Sequence, residues 1–177
     1  MGTWNSRGLR GSLLEDMINM TNQKYLENNL AVIQKIPTPI TPVKISKETR
    51  QITLAYFEKK STVDYMGVVQ GIPVCFDAKE CNKDTFPMMN VHNHQMHFME
   101  KFEKQNGISF FILYFSNIDK IYYMPYAEMK KFYERSINGG RKSFLRTELN
   151  EEYEIKKNTG VPVHYLEALQ LDLRNRE

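Results

Sequence analysis

The sequence predicts an α/β layered domain with a mixed β-sheet flanked by helices. Three observations carry that reading. Apolar runs of strand length alternate with segments of helical periodicity, in the order helix, strands, helix, strand, strand, helix. The run Ile108 to Phe115 is strongly apolar throughout, as expected of a central strand covered on both faces. Three prolines, Pro37, Pro39 and Pro42, interrupt the pattern and leave a stiff extended segment that projects from the sheet.

Each element follows from local pattern. Leu14, Met17, Ile18, Thr21 and Tyr25 recur at helical spacing, which predicts an amphipathic helix over about 12–28. Leu30 to Ile33 reads as a short buried strand. Ile45 to Phe57 returns toward the sheet, strand-like from Gln51. Thr62 to Gln70 and Ile72 to Glu80 form a hairpin. Asn90 to Gln105 is a helix ending at Gly107. Ile121 to Met124 is another strand. Pro125 opens a helix to about Ser136, with proline in its first turn. Gly139 to Ser143 is a basic, glycine-containing loop, and Pro162 to Leu173 is a final helix. No repeat or low-complexity tract is present.

The hairpin concentrates the chemistry. Gln70-Gly71 is a two-residue loop with glycine where positive φ is needed. Val69 then pairs with Ile72, and counting outward puts Asp64 opposite Asp77 and Thr62 opposite Lys79. Side chains alternate with period two, so all four share one face. Paired Cβ atoms lie roughly 4.5–5.5 Å apart, and two carboxylates that close repel unless something positive lies between them. A hard divalent cation such as Mg²⁺ takes carboxylate oxygens and resolves the conflict. The spacing D-x(12)-D-x-K is that of a metal-dependent nuclease. Asp64 and Asp77 would hold Mg²⁺, with Mn²⁺ expected to substitute. Lys79 would sit beside the attacking water or the transition-state phosphate. Glu15, on the first helix, is either a further carboxylate or an ordinary first-turn glutamate.

Composition sets the surroundings. The chain has 177 residues and a formal net charge of +3, enough length for one domain with a real core. Residues 34–63 carry 6 basic against 2 acidic side chains, and residues 101–147 carry 9 against 4. Residues 64–100, which hold the carboxylates, carry 2 against 5. An acidic centre flanked by basic segments suits metal-assisted chemistry on a polyanion, but ordinary solvated faces give the same counts, and on charge alone they are the preferred reading. The opening residues hold no apolar run of signal-peptide length, and no run is long enough to span a membrane. Cys75 and Cys81 are the only cysteines. The expectation is a cytoplasmic protein with free thiols.

Other candidates are contact residues. The Pro37-Thr38-Pro39 segment is either a simple rigid connector or a stiff projection whose Lys35, Lys44, Lys47 and Arg50 would touch DNA. Arg141 and Lys142, beside two glycines, would meet a phosphate or equally form an ordinary surface loop. His92, His94 and His97 invite a zinc reading. On a helix His92 and His94 point about 200° apart and cannot easily share an ion, whereas His94 and His97 could, but no carboxylate or cysteine stands at the usual third position nearby. A helix offering Gln95 or a histidine toward the Asp64 site is the preferred alternative.

These residues resemble the RecU-type Holliday-junction resolvases. The resemblance rests on Lys35-Ile36-Pro37-Thr38-Pro39-Ile40, Ala55-Tyr56-Phe57, Ser61-Thr62-Val63-Asp64-Tyr65, Phe76-Asp77-Ala78-Lys79-Glu80, Phe86-Pro87, His92-Asn93-His94-Gln95 and Gly140-Arg141-Lys142-Ser143, in order. It runs from Arg7-Gly8 to about Leu171. It implies a restriction-endonuclease-like core, a homodimer, and Mg²⁺-dependent nicking of two opposed strands at a four-way DNA junction, in partnership with a recombinase. It implies metal ligands at Thr62, Asp64, Asp77 and Gln95, and a transition-state-stabilising lysine at Lys79. It implies one nuclease domain over 1–177, with a stalk insertion at about 36–60 that enters the junction centre. Two positions depart from the pattern. The family usually has Glu where this chain has Asp77, and often a further acid where it has Cys75.

Two other functions fit less of this pattern. A restriction- or repair-type duplex endonuclease of the same core has no need of the projection. A non-catalytic DNA-binding recombination modulator has no need of intact Asp64, Asp77 and Lys79.

Overall fold

A computed structural model describes residues 13–57, 62–157 and 160–176. Helix α1 (Leu13–Glu27) leads into strand β1 (Ala31–Lys35). A ribbon of β2 (Ile40–Ile45) and β3 (Ile52–Phe57) follows, then β4 (Tyr65–Val69), β5 (Ile72–Cys81) and the short β6 (Thr85–Pro87). Helix α2 (Asn93–Glu103) precedes β7 (Ile108–Phe115) and β8 (Lys120–Pro125). The chain ends with α3 (Tyr126–Ile137), β9 (Ser143–Leu145), β10 (Glu154–Ile155) and α4 (Leu166–Arg176).

Six strands form the main sheet in the order β1-β4-β5-β7-β8-β10. β5 and β7 are parallel, and every other neighbouring pair is antiparallel. The sheet is mixed, as expected. Every residue of β7 is buried, which identifies it as the central strand. One face packs Phe76, Phe110 and Ile112 against Leu14 and Ile18 of α1 and Leu169 of α4. The other packs Cys75, Phe111 and Leu113 against Met96 and Met99 of α2 and Met129 of α3.

An aromatic row crosses the first face. Tyr65 stacks on Phe76 (4.8 Å), Phe76 on Phe110 (4.7 Å) and Phe110 on Tyr123 (4.4 Å). Such cross-strand pairs pin register. Slipping β4 by one residue would turn Tyr65 to the other face and break the row.

The hairpin register is the one counted from the sequence. Val69 pairs with Ile72 and Tyr65 with Phe76. Gln70 and Gly71 both have positive φ, 48° and 86°, as a type I′ turn requires. The strand is shorter than expected, because the ladder stops at Tyr65 and Thr62 to Asp64 bend away.

Three boundaries differ. β3 does not rejoin the main sheet but pairs with β2 in a separate ribbon. Pro42 sits in β2 beside a register shift, where a missing donor is tolerated. Helix α2 begins at Asn93, capped by His92, and stops at Glu103. Asn106, not Gly107, takes the left-handed conformation, at φ 62°. Gly107 is needed for space, since a Cβ there would lie 2.3 Å from the Phe102 ring. Helix α4 starts at Leu166 rather than Pro162. The chain before it docks on α1 instead: the Val163 amide donates to Thr21 Oγ1 (3.0 Å) and the Tyr165 hydroxyl to Asn22 Oδ1 (2.6 Å).

Candidate active site

Odd-numbered residues of β5 face α2, so Cys75, Asp77 and Lys79 share that side. Asp77 is fully buried there, at 0% exposure. Its Oδ1 accepts from the Asp64 amide (3.2 Å) and from Gln95 Nε2 on α2 (2.9 Å). Its Oδ2 faces the Lys79 ammonium in a close ion pair. Asp64 stands just beyond the last rung of the β4–β5 ladder. Its Oδ2 accepts from the Ala78 amide (3.0 Å), and its carbonyl accepts from the Ile36 amide (2.8 Å). Asp64, Asp77, Lys79 and Gln95 are therefore brought together at the end of the hairpin.

Electrostatics follow from that packing. Burial pushes the Asp77 carboxyl up to about 7, the neighbouring Lys79 cation opposes the shift, and the Asp64 carboxylate adds to it. Lys79 is only 16% exposed, so its charge is largely withdrawn from solvent.

Thr62 falls outside the cluster. It is exposed, in the bend before Asp64, and the expected rung with Lys79 is absent because the strand begins three residues later. Glu15 turns its carboxylate to Lys35 Nζ (3.0 Å), so two candidates of opposite sign pair with each other. The backbone carbonyl of Glu15 accepts from the Tyr65 hydroxyl (3.4 Å). Cys75 shares the strand face but is a core thiol: it contacts Ser109 Oγ (3.3 Å), and burial pushes it up to about 12.

His92 is the N-cap of α2, not a helical residue, so the 200° separation expected on a helix does not hold. Its ring stacks on His94 with centroids 5.4 Å apart. Among the described residues, no group of three His, Cys, Asp or Glu side chains is arranged around a metal position. Gln95 Oε1 accepts from the His92 amide (3.2 Å), closing a capping box. Both ends of the Gln95 amide are thus engaged, and the partners fix which end is which.

The projection is the β2–β3 ribbon. Lys44 lies in β2, Lys47 and Arg50 lie in the turn, and all three are exposed. Ile45 (60% exposed), Tyr56 (56%) and Phe57 (75%) leave much of the ribbon apolar and bare. Of the expected stalk, residues 58–60 lie outside the described residues. Arg141 and Lys142 are exposed, and Arg141 Nε donates to Ser143 Oγ (3.2 Å). No helix among the described residues is long and apolar enough to cross a membrane.

Backbone donors were illegible beforehand. The Ala78 and Ile36 amides hold Asp64, and no side-chain pattern records them. The only trace is position: Ala78 lies inside the Asp-x-Lys triplet, and Ile36 follows the strand paired with β4.

A family model for RecU, Recombination protein U, matches residues 9–171. The Holliday junction resolvase RecU of Limosilactobacillus reuteri is 42% identical over 165 residues, covering 90% of this chain and 81% of that one. The Pediococcus pentosaceus protein of the same name is 39% identical over 173 residues, covering 95% and 86%. That of Geobacillus sp. is 40% identical over 146 residues, covering 80% and 73%. Among solved structures, the Holliday junction resolvase Hjc of Archaeoglobus fulgidus aligns with TM-score 0.40 at 8% identity, over 66% of this chain and 78% of that one.

Proposed function

The chain belongs to the RecU, Recombination protein U, family, and on that premise we propose that it is a Holliday junction resolvase, an endonuclease that nicks two opposed strands of a four-way DNA junction. One observation carries the catalytic reading: the buried Asp77 carboxylate, clasped by the Asp64 amide and paired with Lys79.

The donor set fits a hard divalent cation, Mg²⁺ or Mn²⁺. Asp77 Oδ2 is a buried oxygen held against the Lys79 ammonium, so a positive charge already sits where the cation would bind, and Asp64 supplies the second carboxylate. When bound, the cation would lower the pKa of an attacking water and offset charge developing on the phosphoryl oxygens. Asp64 and Asp77 would hold it, with Gln95 and Thr62 as the further ligands the resemblance implies. Lys79 exchanges its Asp77 partner for the scissile phosphate and holds a compact positive charge against it.

The rest of the chain serves placement. We take residues 1–177 as one nuclease domain with the ribbon as its insertion. A homodimer presents two such sites to the two opposed strands. The ribbon enters the junction centre, where Lys44, Lys47 and Arg50 meet crowded phosphates. Lys35, at its root, exchanges Glu15 for phosphate. Arg141 and Lys142 contact an arm, and a recombinase delivers the substrate in the cytoplasm.

The deciding experiment incubates purified protein with labelled four-way junction and matched duplex, with Mg²⁺ and with EDTA. Paired, Mg²⁺-dependent nicks in the junction alone are expected. Equal cutting of duplex would point instead to a duplex endonuclease of the same fold.

A further inference from the structure

Beyond Phe76 the β4 side of β5 is open, because β4 ends at Tyr65. Ala78 turns its amide to that edge, toward Asp64. Strand alternation puts the Glu80 amide on the same edge. A cleft of about 760 Å³ continues from there, lined by Glu80, Asn82, Lys83, Thr85 and Asn90 among others. It adjoins the catalytic cluster twice, at Glu80 after Lys79 and at Asn90 two residues before the α2 cap.

The polar groups of this cleft are uncommitted. Among the described residues, many of the exposed basic side chains pair with a carboxylate, as Lys35, Lys120, Lys131 and Arg135 do. Among the described residues, no such pair engages Lys83, and no hydrogen bond engages the side-chain amides of Asn82 or Asn90. The loop that carries Asn82 and Lys83 is nonetheless anchored, since the Cys81 thiol reaches the carbonyls of Lys83 (3.3 Å) and Thr85 (3.4 Å). Asn90 is half-buried at the end of a single 3₁₀ turn (Met88–Asn90). Two amides and a hydroxyl offer donors and acceptors suited to a base edge. Side-chain amides engage bases bidentately. Lys83 supplies the cleft's positive charge for a phosphate.

We infer that this cleft takes the nucleotide next to the scissile phosphate, with Asn90 and Asn82 reading its base and Lys83 holding its phosphate. The cleft is of ligand-pocket size and shares the open edge of β5 with the catalytic residues, so a strand laid along that edge passes through both. This rests on the nuclease reading and adds to it a determinant of cleavage sequence.

The test uses junctions randomised at the nucleotides flanking the cut, incubated with full-length protein and Mg²⁺, with the products sequenced. The parent protein gives a biased profile at one flanking position. Asn90→Ala and Asn82→Ala flatten that bias by on the order of tenfold, and Asn90→Asp shifts it. Lys83→Ala lowers cutting of all sequences alike and reduces the salt slope of binding by about one. Unchanged bias in Asn90→Ala and Asn82→Ala variants that melt like the parent overturns the inference. A second readout needs binding only: 2-aminopurine at the flanking position brightens on complex formation without metal, and Asn90→Ala abolishes the change. No change with the parent protein overturns the inference too. A parent that cuts only duplex, with an Asn90-dependent bias, would sink the resolvase reading and keep the cleft.

Discussion

Asp64 and Asp77 are joined by a backbone clasp: the Asp64 amide donates to Asp77 Oδ1 at 3.2 Å, while the Asp64 carboxylate accepts from Ala78, the residue after Asp77, at 3.0 Å. Two acidic residues that repel through their charges are thus held together through their main chains. The arrangement occupies Asp77 Oδ1 and Asp64 Oδ2 with main-chain donors and leaves Asp77 Oδ2 against the Lys79 ammonium.

Removing a charge from this pair separates cutting from binding. Asp64→Asn keeps the shape and the Ala78 contact, and Lys79→Ala removes only the cation. Each variant should lower junction cutting by at least about a hundredfold while gel-shift affinity for the junction survives. Near-parental cutting by either variant would reject the assignment.

Metal binding should depend on pH through Asp77. Its carboxyl lies near 7 in the folded, metal-free chain, against an ordinary value of 3.8. The folded state therefore holds the proton more tightly than the unfolded chain. That contribution to stability is present at low pH and lost as pH rises through about 7. A cation requires the carboxylate, so apparent Mg²⁺ affinity should rise up to about tenfold per pH unit below 7 and level off above it. Melting temperatures with and without Mg²⁺, across the range from about pH 5.5 to 8.5, check this. A Mg²⁺ shift independent of pH would show that Asp77 is not a ligand.

Asp77→Glu restores the residue usual in the resemblance, at a fully buried position already touching Gln95 and Lys79. It should retain cutting with a changed preference between Mg²⁺ and Mn²⁺, at a cost of about 1–3 kcal/mol from overpacking. Asp77→Ala should be inactive. Cutting rates in each metal, beside a denaturant melt, decide both claims.

How much of this was legible depends on the range of the interaction. The hairpin register was, because a two-residue loop fixes pairing within a few residues, and the aromatic row from Tyr65 to Tyr123 reinforces it. The strongly periodic helices and the apolar β7 were too. The exit of Thr62 from the ladder was not, because that bend is tied by the Ile36 amide, a main-chain donor from another strand's end. The late start of α4 depended on Thr21 and Asn22, more than a hundred residues away. Gln95 was found by its place in a motif, but its double engagement with Asp77 and His92 exists only once α2 is packed on β5.

The ribbon offers the last prediction. Its near end is rooted at the site: Ile36, four residues before β2, donates to the Asp64 carbonyl (2.8 Å). Beyond that root, β2 and β3 pair only with each other and expose Ile45, Tyr56 and Phe57. Little of the core depends on them, so excision should cost little stability. Replacing the whole ribbon, Ile40–Phe57, with a short Gly/Ser linker should leave a folded protein whose melting temperature stays close to the parent's. The excised protein loses Lys44, Lys47 and Arg50, so the salt dependence of its DNA affinity should weaken, by a slope change of about one per lost phosphate contact. It should keep weak duplex binding but lose its preference for four-way junctions and most resolution activity. Competition binding of junction against duplex at several salt concentrations measures this. If the excised protein melts like the parent and still discriminates as well, the ribbon is only a connector. Junction specificity would then have to come from the spacing of two active sites across a dimer.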